Sequence, residues 1–272
     1  MQEKTKIELS NQRKKELSDL AEFVSNEYCA SGAVLPEIIA KQSGITYSYG
    51  NYGDCFDGLL EYDGNFHIYL NKQINQTSDN TRIRFSFAHE LGHYFIDEHR
   101  NALLKGKSLH KSYHQYMRRN IVEMEADFFA SNLLMPRQSI LNDIPNKKFK
   151  FSIDVINMLK DKYKVSFTAC ALRFLDTKKH PIMIVYAENN QIKWRFCSED
   201  FRYKWLINDN IVPQDTVMGE YFTKNNTENI RKTETVWAMD WFKSVGDDAI
   251  QEKFYEYCFP YQNKAVSIIW ED

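Results

Sequence analysis

The chain has 272 residues, with 35 Lys and Arg against 37 Asp and Glu, a formal net charge of −2. Its 43% hydrophobic and 14% aromatic content excludes a disordered chain, and the balanced charge excludes a generally polybasic nucleic-acid binder. No run reaches the roughly 20 apolar residues of a membrane helix, and the start MQEKTKIELSNQRKKEL has no apolar signal-peptide region. The five cysteines, at 29, 55, 170, 197 and 258, are widely spaced and contain no CxxC. They read as small buried apolar residues in a reducing compartment. A cytoplasmic protein without membrane contact is therefore expected.

In chain order, Leu17, Leu20, Ala21 and Val24 recur at helical spacing and predict a helix over 10–30. A short helix is expected over 36–42, with Pro36 in its first turn and Gly44 as its stop. Segments 45–49, 56–62 and 66–70 are β-rich and cut by glycines. The Asp63-Gly64 pair signals a hairpin, so a small antiparallel sheet is expected. After a polar loop in which Ser78, Asp79 or Asn80 serves as a cap, a helix is predicted over 81–99, with Phe87, Leu91 and Phe95 as its apolar ridge. Residues 100–119 carry six Lys and Arg and no acid, and read as a solvated loop or as a contact for substrate or nucleic acid. Further helices are expected over 121–134, where Pro136 ends the helix, over 153–163 and over 167–175. Strands are expected at 182–187, 191–197 and 265–270. The texture changes near 178, which divides the chain into 1–177 and an aromatic-rich 178–272 with an α/β pattern.

The chemistry concentrates in His89-Glu90-Leu91-Gly92-His93, an HExxH inside a predicted helix. Residues i and i+4 share a helix face, so His89 and His93 can meet one metal ion, while Glu90 is set to reach a water on that ion. A catalytic zinc site has three protein ligands and one open position. His99, six residues after His93, is a poor third ligand: Ile96 stands where a chain-turning glycine is needed, and a continuous helix carries His99 about 9 Å along the axis. Glu123 is the better candidate, with Glu125 as fallback. Glu123 and Asp127 lie one turn apart, the gluzincin layout, in which the later Asp orients a ligand histidine from outside the ligand set. The apolar Phe128, Phe129, Ala130, Leu133 and Leu134 predict that this helix is buried, and buried acids need partners.

The run Arg84-Phe85-Ser86-Phe87-Ala88-His89-Glu90-Leu91-Gly92-His93-Tyr94, followed by Glu123-x-Glu125-Ala126-Asp127-x-Phe129-Ala130-x-x-Leu133-Leu134-Met135-Pro136, resembles the ImmA/IrrE family of bacterial metallopeptidases. Gly58 and Ile68-Tyr69-Leu70-Asn71 extend that resemblance, which covers about 10–175. It implies an α+β fold: a gluzincin-like metallopeptidase domain followed by a smaller α/β, GAF-like domain. It implies Zn2+ bound by His89, His93 and Glu123, with Glu90 as general base. The implied substrate is a helix-turn-helix repressor, whose cleavage switches on stress, mobile-element or anti-phage genes. The C-terminal domain would sense the trigger, single-stranded DNA or a small molecule. The oxyanion donor is open among His110, Tyr113, His114 and Tyr116. The rival reading is a non-hydrolytic regulator or toxin–antitoxin component that binds a partner protein or DNA. The sequence leaves the oligomeric state open.

Overall fold

The computed structural model describes residues 8–28, 32–73, 80–106, 121–144, 150–223, 231–243, 246 and 252–271. The fold is mixed α+β, and the chain divides into two compact units, one of 1–140 with 159–166 and one of 141–158 with 167–272. These bounds follow compactness. The change near 178 follows composition.

The first unit starts with α1 (Asn11–Tyr28) and α2 (Pro36–Gln42). A three-stranded sheet follows, of β1 (Thr46–Gly50), β2 (Gly58–Asp63) and β3 (Asn65–Asn71), in the order β1-β3-β2. The β2–β3 hairpin turns at Asp63-Gly64, with Gly64 at a φ of 75°, a conformation glycine adopts without cost. The expectation of an antiparallel sheet is corrected here, because β1 pairs with β3 in parallel, Thr46 opposite His67. The reason lies in residues 51–57, which carry the chain past the slot that β3 later fills. Asn71 stitches that loop down: its Oδ1 accepts Tyr52 N–H at 3.0 Å, and its Nδ2 donates to the carbonyls of Gly53 and Phe56 at 2.6 and 2.7 Å.

Next come α3 (Thr81–Phe95), α4 (Asp97–Leu104), α5 (Ile121–Leu134) and α6 (Arg137–Asp143). Asn80 caps α3, its side chain accepting Arg82 N–H at 2.9 Å. The single helix expected over 81–99 is in fact two. The chain is extended at Ile96 (φ −76°, ψ 111°), and α4 restarts with Asp97 and Glu98 in its first turn, where acids favour a helix start. Residues 100–104, expected as loop, are therefore helical, and 107–119 lie outside the described residues.

The core is layered. The sheet packs on one side of α3, α5 on another, and α1 on α5. Phe87, Leu91, Phe129 and Leu133 are buried there, each worth about 1.5–3 kcal/mol relative to exposure. The α3–α5 crossing is close because Gly92 meets Ala126. A Cβ at Gly92 would stand 3.1 Å from Phe129 Cδ1 and 3.3 Å from the Ala126 backbone. Buried Arg84 fixes the start of α3, donating to the carbonyls of Val34 at 2.7 Å and Lys164 at 3.2 Å.

In the second unit, the helices α7 (Ile153–Tyr163, whose last residues belong to the first unit) and α8 (Phe167–Leu175) accompany β4 (Ile182–Glu188), β5 (Gln191–Cys197), α9 (Val217–Thr223), β6 (Lys232–Trp237), α10 (Ala238–Trp241), β7 (Lys253–Tyr261) and β8 (Lys264–Glu271). The five strands form an antiparallel sheet in the order β5-β4-β8-β7-β6. Both faces of its centre are covered, which is why β4 and β8 read as unbroken apolar runs. Met183, Val185, Phe254 and Ile269 face a core with Phe201, Trp241 and Phe242. On the other face Trp270 meets Phe151. Buried Glu256 accepts Val217 N–H at 2.9 Å, Met218 N–H at 3.0 Å, Trp241 Nε1–H at 2.9 Å and the Ser267 hydroxyl. Burial nonetheless pushes its carboxyl above the usual range.

Among the described residues no helix is long and apolar enough to cross a membrane, and Cys55, Cys170, Cys197 and Cys258 are not joined by disulfides.

The Gly92–Ala126 crossing makes a direct prediction. Gly92→Val should overpack it and destabilise the protein by about 1–3 kcal/mol, read as a lower urea midpoint. Unchanged stability would show that the helices do not depend on this close approach.

Candidate metal centre

The crossing of α3 and α5 decides what meets at the centre of the first unit. His89 and His93, one turn apart on α3, both face α5 and are 6% and 2% exposed. Their Nε2 atoms are 3.1 Å apart. Glu123, one turn before Ala126, brings its carboxylate to the same point, with Oε2 3.2 Å from His89 Nε2 and Oε1 3.7 Å from His93 Nε2. The ligand-type atoms of the three residues all lie within 4.8 Å of one another, a set that can hold one metal ion. Two donors at zinc-ligand distance on a tetrahedral ion stand about 3.3 Å apart, close to the spacings found. The buried Oε1 of Glu123 also has no hydrogen-bond partner among the described residues. A buried carboxylate oxygen without a donor is costly, and a cation at the focus of the three side chains removes that cost.

The outer nitrogens of both imidazoles are engaged. His89 Nδ1 lies 2.9 Å from Asp127 Oδ1, the contact expected from the one-turn spacing of Glu123 and Asp127. His93 Nδ1 lies 3.1 Å from His99 Nδ1, and His99 Nε2 lies 2.9 Å from Glu125 Oε2. His99 is thus not in the metal-ligating group, but neither is it remote. The break at Ile96 folds α4 back, so the distance along a continuous helix does not apply. Glu125 points away from the centre, toward Arg13 of α1, whose Nε donates to Oε1 at 2.8 Å. The pattern alone did not disclose His99 or Arg13 as neighbours of the site. The pair Asp97-Glu98 was the available sign that a new helix starts there.

Glu90 is buried beside the histidines, and its Oε2 accepts the Leu60 N–H of β2 at 2.8 Å. Gly58 makes room for this: a Cβ there would stand 2.8 Å from Glu90 Oε1 and 2.9 Å from Cγ. His110, Tyr113, His114 and Tyr116 lie outside the described residues.

The charges around the pair are asymmetric. Burial works to lower the pKa of His89, but hydrogen bonds to Asp127 and Glu123 and the charge of Glu90 overcome it and push the imidazole up to about 10. Burial and the neighbouring His89 and His99 hold His93 well below its ordinary value. Burial likewise lowers His99, against the opposing pull of Glu125. Without a metal, His89 is therefore the imidazole of the pair that carries an extra proton at neutral pH.

A buried HExxH helix crossed by a second helix that supplies a carboxylate defines an α+β protein with a three-donor candidate metal centre. Residues 71–175 match Peptidase_M78, described as the IrrE N-terminal-like domain, so this stretch of the chain, which carries all three candidate ligands, is similar to that domain. No curated protein matches the chain. Among solved structures, a Mycobacterium tuberculosis transcriptional regulator shares the fold with a TM-score of 0.59 at 12% identity, over 96% of this chain and 78% of that one.

The proton on His89 predicts pH-linked metal uptake. At pH 7 binding should expel roughly one proton, and affinity should weaken about tenfold for each unit that pH falls below the raised His89 value. Calorimetric titration with zinc in buffers of different ionisation enthalpy reads this directly. A heat independent of buffer would contradict it.

Proposed function

We propose that this chain is a zinc-dependent endopeptidase that cleaves a helix-turn-helix transcriptional repressor. The observation that carries the reading is the combination of three protein donors, His89, His93 and Glu123, with a fourth side chain, Glu90, held beside them by a backbone N–H. Structural zinc sites use four protein ligands, whereas catalytic ones keep a position open. The similarity of residues 71–175 to a peptidase-family domain supports the same reading. In this reading the arrangement is gluzincin-like, with Glu123 as the third ligand and Asp127 orienting His89.

Zinc, when bound, supplies Lewis acidity that polarises the scissile carbonyl and makes water acidic near neutral pH. Glu90 takes the proton from the attacking water and holds it at Oε1 while Oε2 keeps the Leu60 N–H. It then passes the proton to the leaving amine. Asp127 holds His89 in the tautomer that leaves Nε2 as the donor toward the metal.

The repressor as substrate is supported by the similarity of residues 71–175 to the IrrE N-terminal-like domain and by the shared fold with a protein named as a transcriptional regulator. Cleavage would release the genes that the repressor holds, in stress responses, mobile elements or anti-phage defence, within the cytoplasm. Residues 1–177 form the peptidase domain in this reading, and the family match ends two residues earlier. Residues 178–272 form a GAF-like sensor. An antiparallel sheet with its first and last strands paired at the centre supports that reading. Seven of the aromatic residues there are buried core, whereas Trp205 and Trp237 are exposed at 65% and 40% and offer rings on which a base or a planar ligand can stack.

The purified zinc-loaded chain, mixed with the helix-turn-helix protein encoded nearest to it and with single-stranded DNA as trigger, should cut that protein. Glu90→Gln should bind zinc equally and cut at least about a thousandfold more slowly. Undiminished cleavage by Glu90→Gln would overturn the mechanism, and the absence of cleavage with or without DNA would favour a binding function. Gly58→Ala gives a finer test. It displaces the flexible Glu90 carboxylate and not the histidines, so turnover should fall by about 10–100-fold at unchanged zinc content. Loss of zinc instead would show that β2 supports the ligands.

A further inference from the structure

The family match and the HExxH pattern account for His89, Glu90, His93, Glu123 and Asp127. They leave unexplained a buried polar chain on the far side of His93. His93 Nδ1 faces His99 Nδ1 at 3.1 Å, and His99 Nε2 faces Glu125 Oε2 at 2.9 Å. Arg13 grips Glu125 with two bonds, Nε to Oε1 at 2.8 Å and Nη2 to Oε2 at 3.1 Å, and its Nη2 also donates to Glu98 at 3.1 Å. His93, His99 and Glu125 are at most 9% exposed, so an unmatched donor or acceptor among them would be costly.

We infer that His99, fixed by Glu125 and Arg13, is a positioning residue that orients His93 and locks its tautomer for metal binding. This rests on the reading of His93 as a metal ligand through Nε2.

The hydrogen count decides the direction of every bond. A ligand Nε2 leaves the His93 proton on Nδ1, where it donates to His99 Nδ1. That nitrogen must then be an acceptor, so His99 carries its own proton on Nε2 and donates it to Glu125. The Glu125 carboxylate is acceptor-only and takes donors from both His99 and Arg13. No donor meets a donor in this arrangement. With the proton of His99 on the other nitrogen, two N–H groups would collide at 3.1 Å and Nε2 would face a carboxylate with no hydrogen between them. His89 is oriented directly by a carboxylate, Asp127. His93 is oriented by a carboxylate through one intervening imidazole, and the chain ends on α1, far away in sequence. Outer partners of metal-bound histidines are worth about 10–100-fold in metal affinity.

The test uses the full chain with zinc alone as probe, measuring affinity by competition with a chromogenic chelator and the urea midpoint of the metal-free protein. His99→Phe keeps a ring but removes the acceptor, and zinc affinity should fall by about 10–100-fold. His99→Gln restores an acceptor through its amide oxygen and should recover most of that loss. Glu125→Gln should weaken zinc in the same direction, because the tautomer of His99 is no longer enforced. Nitrogen-15 spectra of the zinc-loaded wild type add a reading that needs no variant: the proton should sit on Nδ1 of His93 and on Nε2 of His99. A wild type that takes up no zinc would sink the proposed function itself. A wild type that binds zinc tightly, with His99→Phe equally tight or with the proton of His99 on Nδ1, would overturn this inference and leave that function standing.

Discussion

The close crossing of α3 and α5 at Gly92 and Ala126 is the constraint on which the rest of the first unit depends. Backbones approach this near only where neither helix carries a bulky side chain, and the consequence is chemical. A carboxylate three residues before Ala126 is carried to two imidazoles that straddle Gly92. Neither helix alone makes the site. The α3 helix supplies two donors one turn apart, and α5 converts that pair into a set of three with an unmatched buried oxygen.

Around this crossing, each polar group of the site is held by an element from a different part of the chain. Glu90 is held by the backbone of β2, His89 by Asp127 of α5, and His93 through His99 of α4 to α1. Such preorganisation favours rigid support, because a side chain already in place needs no reordering when a metal or a substrate arrives. It also explains why so many buried polar residues are tolerated here: Glu90, His99 and Glu125 each engage a hydrogen-bonding partner, and the unmatched oxygen of Glu123 faces the centre itself. The second unit solves a similar problem with Glu256, which gathers two backbone N–H groups, an indole N–H and a hydroxyl at one buried carboxylate.

Local chemistry was readable from the residues, and long-range geometry less so. His89 and His93 share a face by helical period alone, and Glu123 with Asp127 follows the same rule on α5. Helices α2, α5, α7 and α8 fall where the caps, prolines and apolar spacing put them. Helices α6, α9 and α10 were not foreseen, and three further features escaped for identifiable physical reasons. The break at Ile96 has no glycine or proline to mark it, so one helix was expected where two exist, and His99 appeared too far from His93. The parallel pairing of β1 accompanies Asn71 binding a loop 15–19 residues earlier in the chain, a contact no period encodes. Strands β6 and β7 went unseen because Lys232–Trp237 is polar on its exposed side and Lys253–Tyr261 contains both a buried Glu256 and Pro260, residues that argue against a central strand when read alone.

In the proposed function one ion binds where α3 and α5 cross, with a position left open. Zinc-edge X-ray absorption on the loaded protein tests it most directly. The expected spectrum shows one zinc per chain with two imidazole ligands, the remaining ligands being oxygen, and loss of one oxygen ligand in Glu123→Ala. A sulfur ligand, a third imidazole, or a spectrum unchanged by Glu123→Ala would contradict it.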